Sequence, residues 1–242
     1  MSSSTSARKI SPFISDYELD VSQFADLPEK FESFNDFFSR KLKDSSRPIL
    51  GADNELTFPA DGRHIMVSDL SKEQAIWAKG QSFNLKKLLG SSERADRYQF
   101  GSVLISRLCP TDYHRFHFPC KGTASASELI DGHLYSVNPI ALMKNISYLW
   151  QNKRSVTELD SEIFGKVCLL EVGATCVGCI EQTYEEGLVN KGQEKGYFRF
   201  GGSMTMVFLE PGRVTYSEDL IEQSQNGIEL YAVMGDVCAK AS

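Results

Sequence analysis

The stretch YFRFGGSMTMVFLE, residues 197–210, places two glycines and a serine between two segments of strand-like residues. Glycine inside a strand loses packing and backbone entropy, and it usually marks a bulge, a turn or a close approach of the backbone to another group. One interpretation is therefore an ordinary hairpin turn. The other is that the peptide bond between Gly202 and Ser203 is itself a reactive group.

Short strand-like segments separated by turn residues extend outward from this stretch over most of the chain. SVLISRL (102–108) is typical of a buried strand, and VCLLEVGATCVGCIEQTY (167–184) has the strongest strand pattern. Helical patterns occur in FNLKKLLG, NPIALMKNISYLW and EDLIEQSQNG, and FESFNDFFSRKLK near the N-terminus spaces its aromatic residues as a helix does. The sequence therefore predicts an α+β fold with a Ser-rich disordered segment at 1–9, a helical N-terminal segment at 10–49 and a β-rich domain at 50–242.

The composition excludes several classes of function. The net charge of −6 argues against a nucleic-acid partner, whose binding surface would be basic. No apolar run is as long as a transmembrane helix, and the opening MSSSTSARKI lacks the apolar core of a secretory signal. The six cysteines are scattered through apolar stretches, which favours reduced thiols in an intracellular protein. Cys176 and Cys179 form a lone C-x-x-C whose thiols would face opposite sides of a regular strand, so we predict no metal site there.

Four side chains are candidates for chemistry. His114 and His117 fall in CPTDYHRFHFPCKG, and histidine is the side chain best suited to proton transfer near neutral pH. Their spacing leaves core hydrogen bonding, metal binding and acid–base catalysis open. Asp61 in PADG is either an ordinary turn residue or a carboxylate that orients a histidine. Ser203 needs a nearby base to become nucleophilic, so a Ser-His-Asp triad is one hypothesis among several.

Six motifs appear in one order along the chain: FNDFFSRKLKDSSRPI, FPADGR, CPTDYHRFHFP, YSVNPIAL, EVGATCVG and KGQEKGYFRFGGS. Together they resemble the phosphatidylserine decarboxylase family over about residues 10–242. The resemblance implies a decarboxylase that is made as a proenzyme and cleaves itself at a Gly-Ser bond, here between Gly202 and Ser203. The expected products are a β chain, 1–202, and an α chain, 203–242, that begins with a pyruvoyl group.

The resemblance also assigns a role to each candidate side chain. His117, the second histidine of HRFH, and Asp61 of PADG would complete a self-cleavage triad with Ser203. His114, the first histidine of HRFH, would act in decarboxylation. The cofactor would be the pyruvoyl group derived from Ser203, which forms a Schiff base with the substrate amine and accepts electrons as CO2 leaves. The expected partners are phosphatidylserine, a membrane surface met peripherally, and the β and α chains of the same proenzyme; a homodimer is a further expectation.

Two features of the sequence keep other functions open. The family often has Ser or Thr directly after the reactive serine, whereas Met204 follows it here. The sequence therefore predicts that maturation is slow and that Met204→Thr would speed it, and an uncleaved pseudoenzyme that binds a lipid or a partner is the corresponding alternative. Family members usually carry apolar helices upstream, so a soluble amino acid such as tryptophan is an alternative substrate. A serine hydrolase is less favoured because Gly-Gly-Ser lacks the G-x-S-x-G spacing.

Overall fold

The strand-like segments on either side of the Gly-Gly-Ser form strands in a β-rich fold that also contains short helices. A computed structural model describes residues 1–72, 83–174, 179–201 and 203–242. Gly202 and Cys176, which the sequence singled out, lie outside the described residues. The α+β fold class predicted from the sequence is confirmed.

The helices are short, and most of them lie between strands. In the described residues the α-helices are α1 Ile10–Asp16, α2 Phe34–Phe38, α3 Leu85–Leu89, α4 Ser92–Tyr98, α5 Pro139–Lys144, α6 Tyr148–Gln151 and α7 Glu218–Gln225. Short 3-10 helices cover Ser4–Lys9, Val21–Gln23, Pro28–Lys30 and Asp44–Ser46.

The strands begin after the N-terminal segment and continue to the end of the chain. They are β1 Glu55–Thr57, β2 Gly62–Val67, β3 Ser102–Leu108, β4 Arg115–His117, β5 Gly122–Ala124, β6 Glu128–Ile130, β7 Arg154–Ser161, β8 Gly165–Gly173, β9 Ile180–Gln182, β10 Gly187–Val189, β11 Glu194–Phe198, β12 Ser203–Leu209, β13 Val214–Tyr216, β14 Leu230–Ala232 and β15 Val237–Ala241.

The central sheet holds β12, the strand that begins at the serine of Gly-Gly-Ser, near its middle. Its strand order is β10-β5-β7-β8-β12-β3-β2-β14, and β6 pairs with β7. β12 pairs antiparallel with both β8 and β3. Both faces of β12 are buried, since Met204, Met206 and Phe208 contact one apolar core while Val207 and Leu209 contact another. Burial on both faces explains the continuous apolar run at 207–209, whereas Ser203 and Thr205 alternate with methionines at the start of the strand.

Two smaller sheets accompany the central one. Strands β1, β15 and β13 form one of them, and β4, β11 and β9 form the other, each in that order. The chain therefore leaves the small sheet at the end of β11 and enters the central sheet at the start of β12. In the described residues β11 and β12 do not pair with each other, so the Gly-Gly-Ser segment is a crossing between sheets and not a hairpin turn.

An aromatic cluster holds the N-terminal segment together. α2 covers only the middle of the predicted helical pattern, and the Ser33 hydroxyl caps it by accepting a hydrogen bond from the Asp36 N–H. The cluster buries Ile10 and five phenylalanines, and Phe200 from the segment before the serine packs against it. Truncating a buried phenylalanine to alanine typically costs about 3–5 kcal/mol, so these rings contribute substantially to holding the segment in place.

The first residues have a defined conformation in the structure. The sequence predicts disorder over 1–9, whereas Ser4–Lys9 forms a 3-10 helix. The Ser6 side chain is buried, and its hydroxyl accepts a hydrogen bond from the Phe34 N–H. This contact links the terminus to the start of α2, which a serine-rich composition does not reveal.

Neither a membrane-spanning helix nor a metal cluster occurs in the part of the chain that the structure describes. None of the helices there is long and apolar enough to cross a bilayer. In the same residues no three His, Cys, Asp or Glu side chains are grouped to bind a metal ion. The described cysteines are free thiols, namely Cys109, Cys120, Cys168, Cys179 and Cys238.

Candidate active site

Ser203 is the first residue of β12, directly after the crossing between the two sheets. Across the central sheet it lies opposite Leu108 of β3 on one side and Gly173 of β8 on the other. Gly201 has a φ of 143°, a conformation that residues with a Cβ rarely adopt. The glycine requirement at this crossing is therefore conformational, at least at Gly201.

The Ser203 hydroxyl is buried and has no hydrogen-bond partner among the residues that the structure describes. The residue is 0% exposed, and its Oγ contacts no donor or acceptor in the described residues. Leaving a buried hydroxyl unpaired costs about 1–3 kcal/mol, and such groups are rare in folded proteins. Ser203 also lines a cavity of about 250 Å³, between the end of β3 and the segment before α5. An unpaired hydroxyl at a cavity wall is a candidate for a reactive group.

The two candidate histidines lie at the two ends of β4 in the small sheet, with His114 just before the strand and His117 as its last residue. The His114 carbonyl accepts a hydrogen bond from the Phe198 N–H, the last residue of β11. The His117 N–H donates to the Pro59 carbonyl at 2.7 Å. These backbone bonds tie one histidine to the strand before the Gly-Gly-Ser and the other to the PADG turn.

His114 is a neutral histidine with a defined tautomer. Its Nδ1 lies 2.9 Å from the Asp112 carbonyl oxygen, which can only accept, so Nδ1 carries the proton and Nε2 has the free lone pair. Burial lowers the pKa of His114 to about 3. The ring lies against Phe38, with 3.8 Å between ring centroids, and its buried Nε2 has no partner in the described part of the chain. His114 therefore presents one unoccupied acceptor nitrogen.

His117 is also buried in its neutral form. Burial lowers its pKa to about 4, although the carboxylates of Glu194 and Asp61 act in the opposite direction. No described residue forms a hydrogen bond with its Nδ1, and the ring stacks on Tyr113. A neutral imidazole with an unpaired nitrogen can accept a proton at neutral pH, which is the requirement for a general base.

Asp61 is held by an arginine from the N-terminal segment. The Arg47 guanidinium donates to both carboxylate oxygens, with Nε at 2.9 Å from Oδ1 and 3.0 Å from Oδ2. The Met234 N–H donates to Oδ1 at 2.9 Å. No hydrogen bond joins Asp61 to His117 in the described residues, so the structure places the carboxylate near the histidine without completing that contact.

Strand register brings Asp61 and Ser203 to the same end of three adjacent strands. Asp61 immediately precedes Gly62, the first residue of β2, and a Cβ at Gly62 would lie 2.5 Å from the Arg107 carbonyl oxygen of β3. The next residue of β3, Leu108, lies opposite Ser203. Two strand spacings separate β2 from β12, which corresponds to about 10 Å between their backbones.

Asp61, His117 and Ser203 line three different cavities among the described residues. Asp61 lines a cavity of about 180 Å³ and His117 lines one of about 290 Å³, and Arg47 and Tyr113 contribute to both. Ser203 lines the separate cavity described above. The structure thus gathers the predicted triad around one end of the central sheet, with no hydrogen bond between its members in the described residues.

Met204 occupies a core position. It is 0% exposed and packs in the apolar core on the face of β12 opposite that of Val207. Residues alternate between faces along a strand, so the side chains of Met204 and Ser203 point in opposite directions. A hydroxyl at position 204 would enter this apolar core and not the side that bears the serine hydroxyl. This placement argues against the prediction that Met204→Thr speeds maturation.

The sequence is similar to a known family of enzymes. Residues 34–239 match the family model described as phosphatidylserine decarboxylase. A protein of Clostridium tetani named phosphatidylserine decarboxylase proenzyme is 44% identical over 239 residues, covering 98% of this chain and 80% of the relative. A Clostridium perfringens protein of the same name is 45% identical over 236 residues, covering 97% and 80%. The chain belongs to the phosphatidylserine decarboxylase family.

Membership of the phosphatidylserine decarboxylase family confirms the resemblance on which the sequence interpretation rested. Members are pyruvoyl-dependent carboxy-lyases, so the predicted enzyme class is confirmed. The clostridial relatives are named as proenzymes, in agreement with a precursor that is processed into chains. The roles of Asp61, His114, His117, Gly202 and Ser203 stay predictions, to which the structure adds positions and partners for all but Gly202.

Arg47 is a site residue of this phosphatidylserine decarboxylase family member that sequence reasoning missed. It occurs in FNDFFSRKLKDSSRPI, a motif in which no residue is predicted from the sequence to belong to the site. The one available signal was an arginine and an aspartate in two motifs of the same resemblance, DSSRPI and FPADGR. That signal is too weak to predict the contact between Arg47 and Asp61. The two residues are 14 positions apart in sequence and are joined by a non-helical connection, so no periodic pattern indicates that they meet.

Proposed function

We propose that this chain converts phosphatidylserine to phosphatidylethanolamine and CO2, using a pyruvoyl group formed from its own Ser203. Family membership supports the reaction class, and the names of the clostridial relatives supply the substrate. Self-cleavage between Gly202 and Ser203 produces a β chain, 1–202, and an α chain, 203–242. Both chains remain in one fold, because β12 of the α chain pairs with β3 and β8 of the β chain.

The observation that carries this proposal is the buried, unpaired hydroxyl of Ser203 at a cavity wall. A structural serine in a strand interior would donate to a backbone carbonyl or another side chain. Here the hydroxyl follows two glycines and lies where the chain changes sheets. These features fit a residue that is consumed in a reaction, and they fit a pyruvoyl group derived from it.

His117 is the base that we assign to self-cleavage. It is neutral at physiological pH because burial holds its pKa near 4, so it can take the Ser203 hydroxyl proton without first losing one. Asp61 stabilises the imidazolium that forms, since its carboxylate is close enough to oppose the fall in the His117 pKa. Arg47 and the Met234 N–H fix the position of that carboxylate.

The proposed cleavage proceeds by acyl transfer and elimination. The Ser203 oxygen attacks the Gly202 carbonyl carbon, and the amide becomes an ester with a free amino group on residue 203. Removal of the proton on the Ser203 Cα then expels the Gly202 carboxylate and leaves dehydroalanine. Addition of water releases ammonia and leaves a ketone at the new N-terminus.

The cavity beside Ser203 is where the substrate headgroup is proposed to bind. A pyruvoyl group supplies a ketone that reacts with the substrate amine and withdraws electrons as CO2 departs. Arg107 and Asn138 contribute polar side chains to the cavity wall. His114 is assigned to the decarboxylation step, and Nε2 is the atom that it offers, because Nδ1 is engaged by the Asp112 carbonyl.

Intact mass spectrometry of the purified chain tests self-cleavage. The expected result is two chains, with the 203–242 chain about 17 Da lighter than a peptide that begins with serine, because pyruvoyl has replaced that serine. Ser203→Ala is expected to remain a single chain of 27.1 kDa. A wild-type chain that stays uncut, or one cut to a serine N-terminus, contradicts the proposal.

Substrate choice is tested by CO2 release from carboxyl-labelled compounds. Wild-type protein should release label from phosphatidylserine vesicles and not from free serine or tryptophan, and Ser203→Ala should release none. Release from tryptophan alone would support the soluble amino acid as substrate. Cyanoborohydride with substrate should add the substrate mass to the 203–242 chain alone, and an adduct on the 1–202 chain would contradict the position of the ketone.

A further inference from the structure

Helix α5 exposes an apolar face beside the cavity that contains Ser203. Ile140 is 64% exposed and Met143 is 52% exposed, and their spacing of three residues places them on one side of the helix. Leu142, between them in sequence, is fully buried and anchors the opposite side. Asn138, which caps the helix by accepting a hydrogen bond from the Ile140 N–H, itself lines the cavity. The apolar face therefore begins at the cavity wall.

The charge of this region differs from that of the rest of the chain. The protein has a net charge of −6, yet the sequence from 132 to 157 contains no Asp or Glu. The same stretch contains Lys153 beyond α6, which is partly exposed. An acid-free, lysine-bearing segment in an acidic protein is complementary to an anionic surface.

We propose that α5, through Ile140 and Met143, is the surface by which this protein docks on an anionic phospholipid bilayer. The proposal rests on the function proposed above, since a lipid headgroup must reach Ser203 while its acyl chains stay in an apolar phase. An exposed apolar face at the cavity mouth lets the substrate enter without leaving the bilayer. Apolar side chains on one face together with lysines also characterise segments that lie in a membrane interface.

A second copy of the chain is the less favoured occupant of this surface. Stable protein–protein interfaces bury about 1,200–2,000 Å² in total, whereas α5 is a six-residue helix with two protruding apolar side chains. A bilayer needs only shallow insertion of a few side chains plus electrostatic attraction.

Vesicle sedimentation with the wild-type protein and two double variants tests the surface. Ile140→Ser with Met143→Ser removes the apolar face, and Leu188→Ser with Ile228→Ser is the control, because both residues are exposed apolar side chains elsewhere. With vesicles of phosphatidylcholine and phosphatidylserine, the first variant should bind at least about tenfold more weakly than wild type. The control should bind as wild type does, and added salt should weaken wild-type binding. Equal binding of all three proteins overturns the proposal.

Two further measurements separate failure of the surface from failure of the proposed function. Intact mass should show the same cleavage in all three proteins, which establishes that the variants fold. The ratio of decarboxylation on vesicles to decarboxylation on dispersed short-chain phosphatidylserine should fall for Ile140→Ser with Met143→Ser alone. If wild type binds vesicles through α5 but releases no CO2, the surface stands and the proposed function fails. If the first variant changes only the oligomeric mass, the occupant is a second copy and the bilayer proposal is wrong.

Discussion

The rate of self-cleavage should stay nearly constant with falling pH until the buried base, His117, becomes protonated. Burial lowers the pKa of His117 from 6.5 to about 4, so the base is neutral and competent over most of the accessible pH range. At pH 5.5 a histidine of pKa 4 is about 97% neutral, whereas one of pKa 6.5 is only about 9% neutral. The structure therefore predicts that cleavage at pH 5.5 keeps about 97% of its own plateau rate, whereas an ordinary histidine would keep about 9% of its plateau rate.

The assay follows loss of the uncut chain after synthesis. Full-length protein made by cell-free translation is diluted into buffers from pH 3.5 to 8, and the 1–202 and 203–242 chains are quantified over time by gel electrophoresis. The rate should be nearly flat from pH 8 to 5.5 and should fall to half near pH 4. Circular dichroism at each pH confirms that the chain remains folded.

The opposite profile would refute the assignment of a buried neutral base. A rate that halves near pH 6.5 would mean that the titrating histidine is exposed to water during cleavage. A rate unchanged in His117→Asn, at any pH, would mean that His117 is not the base. Either result would also remove the interpretation of its unpaired Nδ1 as a proton acceptor.

Four other outcomes follow from the same structure. His114→Asn should still split by intact mass yet lose CO2 release, because its free Nε2 is assigned to decarboxylation, and failure to split would merge the two histidine roles. Arg47→Gln should slow splitting by about ten- to a hundredfold in the gel assay, since Asp61 loses its bidentate partner, and an unchanged rate would show that Arg47 does not position it. Met204→Thr should leave the splitting rate within about twofold of wild type while lowering the free energy of unfolding in urea by about 1–3 kcal/mol, because the side chain leaves an apolar core. Lys195→Met should lower the free energy of unfolding in urea by about 3–5 kcal/mol, since the buried carboxylate of Glu171 would lose its ion-pair partner.

Elements with a complete local pattern were predicted best from the sequence. SVLISRL coincides with β3, and EDLIEQSQNG contains α7 together with the glycine that follows its end. α4 was missed because SERADRY has no apolar periodicity. It is stabilised instead by the Ser91 cap and by ion pairs of Arg94 and Arg97 with carboxylates, including Glu158 of β7. Such contacts join residues far apart in sequence and give no periodic signal.

The candidate site was predictable in its residue types and not in its connections. The resemblance named Asp61, His114, His117 and Ser203, and the structure places all four around one end of the central sheet. The sequence did not indicate that Asp61 accepts hydrogen bonds from Arg47 and not from His117. It also did not show which face of β12 points towards the other candidate residues, because both faces pack against apolar cores and neither is a solvent face.

Contacts from the N-terminal segment reach each part of the candidate site, although the sequence divides the chain after residue 49. Arg47 binds Asp61, and Phe38 packs against the ring of His114. The Asn35 side chain accepts a hydrogen bond from the Phe200 N–H at 2.7 Å, immediately before the two glycines. A chain that lacked this segment would keep the catalytic residue types but lose the groups that fix a carboxylate, a histidine and the approach to Ser203. Because cleavage destroys the serine irreversibly, a site completed by the N-terminal segment favours cleavage only after that segment has folded onto the sheet.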